Sequence, residues 1–405
     1  MRILFLSRWF PYPADNGSKI RVFNLLKSLH AEHEIVLASF ATESVSASSL
    51  AAMQTICDEV HVIPYRGFRA DSRKARLGLF SPTPRSVIDT FSQEMFDIVS
   101  AVAATWQPEL VIASQIDMAR YALAVENTHR VLEELELAVP YDAYRNERHL
   151  LARLRKGLTW WKLERYLRRT LSAFDLCTVV SVGERELVSK VCPATLPVHI
   201  VPNGADLQRM DEVHVEPEPD TLIYSGALSF YANFDAMQYF LGEIFPLILE
   251  QAPATRLLIT GSIQDVAIDL LPQCQNVHFT GYLEDVWVAI KGSWASVVPL
   301  RLGGGTRLKV VESLALGTPV VSTSKGVEGL NLRPDVDVAV ADDPVDFAGK
   351  TVALLKSAHL RRQFSKQGYR AVKCYDWTLI GRELNNLLTD VATRHPSRVA
   401  QAEQA

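Results

Sequence analysis

The sequence predicts an α/β fold built from two doubly wound parallel-sheet domains facing across a cleft. Three observations carry this expectation. Short apolar runs of strand type alternate with helical segments along nearly the whole chain, the pattern of a parallel sheet with helices on both faces. The alternation pauses once, at the acidic, proline-bearing stretch Gln208 to Asp220 (QRMDEVHVEPEPD), and then restarts. A length of 405 residues suits two domains of ordinary size.

In the first half, Arg2 to Ser7 (RILFLS) reads as a strand and Ser18 to Ala31 as the helix after it. The loop between them, RWFPYPADNG, is rich in turn residues and ends in Gly17. It lacks the Gly-x-Gly-x-x-Gly fingerprint of dinucleotide binding, which argues against a dehydrogenase. Strands are expected at Glu34 to Phe40, Glu59 to Tyr65, Leu110 to Ser114, Arg130 to Leu135, Leu176 to Val182 and His199 to Val201. Helices are expected at Ala47 to Cys57, from Pro84 in one run into Trp106, and through a very basic segment ending near Leu171. Asp117, just past a strand, reads as a helix cap. The turn cluster Pro202 to Asp206 (PNGAD) closes a first domain of residues 1–207, and 208–220 reads as a linker.

The second domain is expected over 221–372. Its strands are Thr221 to Gly226, Arg256 to Thr260, Val277 to Thr280, Ala295 to Leu300, Pro319 to Thr323 and Val336 to Val340. Asn233 reads as the N-cap of a helix from Phe234 to Gln251. Residues 373–405 hold a final helix, Trp377 to Thr393, with Ile380, Leu384, Leu387 and Leu388 on one face. That face serves either the first domain, by crossing back, or the second. His395 to Ala405 reads as a polar tail.

The stretch with most chemical content is Pro299 to Leu330, PLRLGGGTRLKVVESLALGTPVVSTSKGVEGL. It reads as strand, glycine loop, helix, turn and strand, with Thr306 as N-cap, the helix over Arg307 to Leu316 and Gly317 ending it. A glycine loop opening a helix offers unpaired N–H groups and the positive end of a helix dipole, which suit a phosphate. Arg307 and Lys309 put two cations in the first turn, the wrong end for the macrodipole, so an anion nearby would explain them. Glu312 lies among apolar neighbours and needs donors, which sugar hydroxyls would supply. The competing explanation for Lys309 and Glu312 is a surface pair contributing about 0.2–0.5 kcal/mol.

GGGTRLKVVESLALGTPVVST followed by GVEGL resembles the nucleotide-sugar site of family-4-type retaining glycosyltransferases of the GT-B fold. The resemblance implies that Glu312 binds the donor's ribose hydroxyls. It also implies that Arg307, Lys309 and the Gly304, Gly305 and Thr306 amides hold the diphosphate, and that Gly17 approaches the phosphates. By the same analogy Arg307, Lys309 and Glu312 carry catalysis, with retention, no divalent metal and the leaving phosphate acting as base. The family commonly has two glutamates with seven residues between them, and the earlier position here is Gly304. Many relatives also carry a histidine after the strand that ends here at Ser114; this chain has none there. The alternatives weighed are a nucleotide-sugar epimerase of the same fold, a phosphorylase-like enzyme and a catalytically dead nucleotide-sugar-binding module.

Composition narrows the partners. With 48% hydrophobic and 22% charged residues, the chain can bury real cores. A formal net charge of −4 argues against a nucleic-acid binder. The five cysteines are dispersed and the histidines show no metal-ligand spacing, so neither a disulfide framework nor a zinc site is expected. The apolar start ILFL is too short for a secretory leader, and no run approaches a membrane span, so the expected location is cytoplasmic. Two basic runs in the first domain qualify that. Arg145 to Arg169 holds nine Lys and Arg against two Glu, with Trp160, Trp161 and several leucines. Arg66 to Arg85 holds six against one Asp. Such segments are either solvated faces or a peripheral contact with an anionic inner-membrane surface, where a lipid-linked or glycan acceptor would be met. No cofactor is expected beyond the nucleotide-diphosphate sugar as co-substrate, and its cleft is expected to close on nucleotide.

Overall fold

The computed structural model describes residues 1–264, 266–303 and 306–394. The expected Gly304 and Gly305 amides and the tail from His395 lie outside the described residues. The chain forms two units: Met1–Asn203 together with the segment from Thr378, and Gly204–Trp377.

The first unit holds β1 (Arg2–Ser7), β2 (Glu34–Ala41), β3 (Glu59–Pro64), β4 (Leu110–Ser114), β5 (His129–Glu133), β6 (Leu176–Val179) and β7 (Val198–Ile200). They form one parallel sheet in the order β3-β2-β1-β4-β5-β6-β7. The order reverses between β1 and β4, so that junction is the topological switch point, beyond whose carboxyl ends ligands bind in such sheets. Central strands are apolar throughout because helices cover both faces; Ile3, Leu4, Phe5, Leu6, Val111 and Ile112 are fully buried.

The second unit holds β8 (Glu218–Ser225), β9 (Arg256–Thr260), β10 (Val277–Gly281), β11 (Ser293–Val298), β12 (Val320–Ser322) and β13 (Ala339–Val340). They too are parallel, in the order β10-β9-β8-β11-β12-β13, with the switch point between β8 and β11. Ala205 and Trp377, where the chain enters and leaves this unit, are tied together: Ala205 N–H donates to Tyr375 O at 2.8 Å and Trp377 N–H to Ala205 O at 3.2 Å. The helix Trp377–Arg394 then returns the chain to the first unit, burying Ile380, Leu384 and Leu388.

Several expectations are corrected. The division falls at Asn203/Gly204, and 208–220 is no free linker. Leu207–Asp211 is a helix whose Leu207 and Met210 are buried in the second unit's core, and β8 already begins at Glu218. The long helix from Pro84 is two helices, Arg85–Asp89 and Gln93–Trp106. Tyr121 decides the break: its ring stacks on Phe91 at 5.8 Å and its hydroxyl accepts from Ser92 N–H at 2.9 Å. Helix starts Tyr231, not Phe234, and it passes through a π-turn, Phe240–Ile244, into Phe245–Gln251. Pro246 has no N–H to donate, so the i to i−4 ladder must reset there. Leu176 to Val182 shortens because Ser181 caps the helix Val182–Val191.

Candidate active site

At the carboxyl end of β8, Tyr224 is buried and its hydroxyl donates to Asn233 Oδ1 at 2.7 Å. Asn233 Nδ2 in turn donates to Ala227 O at 2.8 Å. Asn233 is therefore not the expected N-cap; it lies inside the first turn and fastens the loop after β8. Lys309 Nζ completes the cluster, donating to Tyr224 Oη at 2.9 Å and Asn233 Oδ1 at 3.0 Å, with the ring centroid 4.1 Å away. Gly226, at φ +145°, is required here: a Cβ would sit 2.7 Å from Lys309 Nζ and 2.9 Å from Asn233 Nδ2.

Lys309 and Arg307 come from the segment after β11, on the other side of the switch point. The helix is Leu308–Ala315, with Arg307 at the N-cap position and no side-chain cap, so Thr306 is not the cap. Leu308 N–H instead turns back to Thr306 O at 3.0 Å. Val310, Val311 and Leu314 are buried and anchor this helix to the core. Arg307 is buried as well; its Nη2 donates to Gly303 O at 2.8 Å and lies 4.0 Å from Glu328. Gly303, at φ +96°, allows that approach, since a Cβ would be 3.2 Å from Arg307 Nη1.

Burial pulls the Lys309 ammonium down to about 7; the Arg307 charge adds to this and Glu312 opposes it. Burial pushes the Glu312 carboxyl up to about 7, against a hydrogen bond from Trp287 and the Lys309 charge. Both residues keep an edge on the surface although their charged ends are enclosed. Lys309 and Glu312 are not the surface ion pair considered above, because Lys309 turns toward Tyr224 and Asn233. Within the second unit the structure thus brings Lys309, Arg307 and Glu312 to one helix start. Tyr224, Asn233 and Trp287 were missed: Tyr224 reads as an ordinary strand residue and Asn233 as a cap.

Gly17 belongs to the first unit, where it is exposed and opens the helix Gly17–His30 behind its cap Asn16. That unit carries a second polar cluster at its own switch point. Arg8, after β1, meets Asp117, after β4, at 3.1 Å, and its guanidinium lies 4.9 Å from the Tyr65 ring. Asp117 is thus an ion-pair partner and not a cap. Beneath it, Arg21 is fully buried; Nε meets Glu133 Oε1 at 2.6 Å, and Nη1 donates to Asn203 Oδ1 at 2.9 Å. Glu133 Oε2 accepts from Ser114 Oγ at 2.9 Å, and Gln115 Nε2 donates to Glu134 at 3.2 Å. Gln115 and Glu134 hold positive φ of 68° and 57°, a strain that clusters at functional sites. Burial pushes Glu134 up to about 8, with Arg21 opposing and Glu133 adding. The sequence signal was available: Arg21 sits on the apolar 21, 25, 29 stripe of its helix.

Among the described residues, no three His, Cys, Asp or Glu side chains converge as a metal site would require, and no described helix is long and apolar enough to cross a membrane.

Residues 15–209 match the family described as Glycosyltransferase Family 4, and residues 219–357 match Glycosyl transferases group 1. An uncharacterized 44.6 kDa protein in the cps region of Klebsiella pneumoniae is 21% identical over 86% of this chain and 89% of its own. Phosphatidyl-myo-inositol mannosyltransferase of Mycobacterium leprae is 31% identical over 29% of this chain and 33% of its own. Anabaena HepE, solved in complex with UDP, superposes with a TM-score of 0.64 at 13% identity, covering 96% of this chain and all (100%) of that one. With both halves of the sequence matched to these families and the two-domain fold shared with HepE, the chain belongs to the family-4 and group-1 glycosyltransferases of the GT-B fold.

Proposed function

We propose that this glycosyltransferase moves a sugar from a nucleoside-diphosphate donor to a hydroxyl of a glycan or lipid-linked acceptor, with retention and without a divalent metal. The observation that carries the donor half is the Lys309 ammonium, held on Tyr224 and Asn233 at the second unit's switch point beside Arg307. Enclosed cations at a helix start favour a bound anion, and a diphosphate supplies one. As the sugar departs, charge grows on the leaving phosphate, so these fixed cations stabilise the transition state more than the ground state. Glu312, partly enclosed and oriented by Trp287, accepts from the ribose hydroxyls. The relative from a cps region and the mannosyltransferase named for a phosphatidyl-inositol support an envelope glycan or lipid-linked acceptor.

A thermal-shift screen of uridine, guanosine, adenosine and thymidine diphosphates and their sugars tests the donor site. One nucleotide class should raise Tm, and Glu312→Ala should cut that affinity while melting like the parent without ligand. Parental affinity in Glu312→Ala would remove the ribose assignment. Conversion of the nucleotide-sugar into its epimer, without an acceptor, would favour the epimerase reading.

A further inference from the structure

The first unit carries a cavity of about 500 Å³ beside the end of β3, and its lining includes Arg66, Arg69, Arg73 and Lys74 with Asp89 and Glu94. The surrounding backbone is held firmly. Asp89 accepts from Arg69 N–H at 2.7 Å and from the Ser72 hydroxyl. Arg85 Nε donates to Ala75 O at 2.7 Å, and its Nη2 to Ala70 O at 2.6 Å. Asp89 is thereby engaged with the loop itself. Among the described residues none of the four lining cations lies within ion-pair distance of a carboxylate. Asp89 and Glu94 offset only part of the charge of these four cations, whose remaining mutual repulsion an anion with several acceptor oxygens relieves.

The cavity runs directly into an apolar surface. Arg73 and Lys74 open the short helix Arg73–Leu77, and the turn Gly78–Phe80 follows. Leu77 and Leu79 are exposed and Phe80 is 92% exposed. Lys162 Nζ donates to Leu79 O at 2.8 Å and Gly78 O at 3.3 Å, fastening this turn to the helix Leu150–Leu171. That helix changes character along its length. Leu167 and Leu171 are buried in the core, whereas Leu150, Leu151, Leu154, Leu158 and Trp161 are exposed, with Leu151 at 82%. Exposed apolar side chains on this scale mark an interaction surface, and basic residues among them fit an anionic interface.

We propose that this pocket binds the phosphate of a membrane lipid while the Leu77 to Phe80 turn and the outer leucines of the Leu150–Leu171 helix lie in the bilayer interface. The cationic cavity recognises the headgroup and the adjoining apolar turn recognises the hydrocarbon, so the pair selects a lipid phosphate over a free one. This rests on the acceptor half of the proposed function and is independent of the donor site.

The test is vesicle flotation of the full chain with phosphatidylglycerol or phosphatidylcholine vesicles at low salt. The parent should float with phosphatidylglycerol vesicles and stay below with phosphatidylcholine. Removing three basic contacts in Arg69→Ala/Arg73→Ala/Lys74→Ala should weaken partitioning by about a hundredfold. Leu79→Ser/Phe80→Ser should weaken it too, while its affinity for glycerol phosphate stays parental. All three proteins should melt alike and give the same nucleotide thermal shift, which separates failure here from failure of the donor assignment. No flotation of the parent, or parental flotation of the charge variant, overturns the proposal. Parental flotation of the apolar variant, with the charge variant losing glycerol phosphate, shows a free-anion site and overturns the lipid assignment.

Discussion

Lys309 is the residue on which the donor half of the proposal turns. Its ammonium is enclosed by Tyr224, Asn233 and the Gly226 backbone, and burial brings it down to about 7. An anion bound beside it favours the charged form and raises that value. Binding therefore takes up a proton above pH 7, and diphosphate affinity should fall as pH rises from about 7, by up to tenfold per unit. Nucleotide titrations between pH 6 and 9 check this against Lys309→Met. The nucleotide's own ionisation is common to both proteins, so their difference isolates Lys309. The variant should also lose about 10²–10³ in kcat. A parallel pH profile in the two proteins would remove Lys309 from the diphosphate.

Among the elements, the helix Trp377–Arg394 shows how tightly packing can depend on one small residue. Gly381 lies against the helix Gly17–His30, where a Cβ would fall 2.2 Å from Ser28 Oγ and 2.3 Å from its Cβ. Asn385, one turn on, meets the His33 ring. Gly381→Val should therefore destabilise the first unit by about 1–3 kcal/mol through overpacking. Ser28→Gly in the same chain should recover much of that loss, because it removes the atoms in collision. Thermal melts of the single and double variants check this; equal melting of parent and Gly381→Val would mean the helices part at no cost.

For the whole molecule, each unit builds its polar cluster at the carboxyl ends of its own sheet, where the strand order reverses. This placement follows from topology: only there do two neighbouring loops diverge and leave a crevice. In the second unit that crevice holds the cations Arg307 and Lys309, which on the proposed function take the role a divalent ion would otherwise fill. Transfer activity should accordingly persist after dialysis against EDTA. Complete loss, restored by magnesium or manganese, would assign the charge stabilisation to a metal.

The sequence by itself determined the two alternating α/β halves, most strand positions and the Arg307, Lys309 and Glu312 constellation. Those features are written in local periodicity and in one contiguous motif, and neighbours along the chain suffice to read them. Only the tertiary structure decided what the side chains meet. Asn233 is a clamp for Lys309 and not a cap because Tyr224, on a neighbouring strand, reaches it first. Arg21, Glu133 and Asn203 form one buried cluster although 182 positions separate its ends. The outer leucines of the Leu150–Leu171 helix are exposed because the core takes only that helix's last turns. Pairings across such separations depend on the sheet order and on where each helix crosses it, and a one-dimensional pattern carries neither.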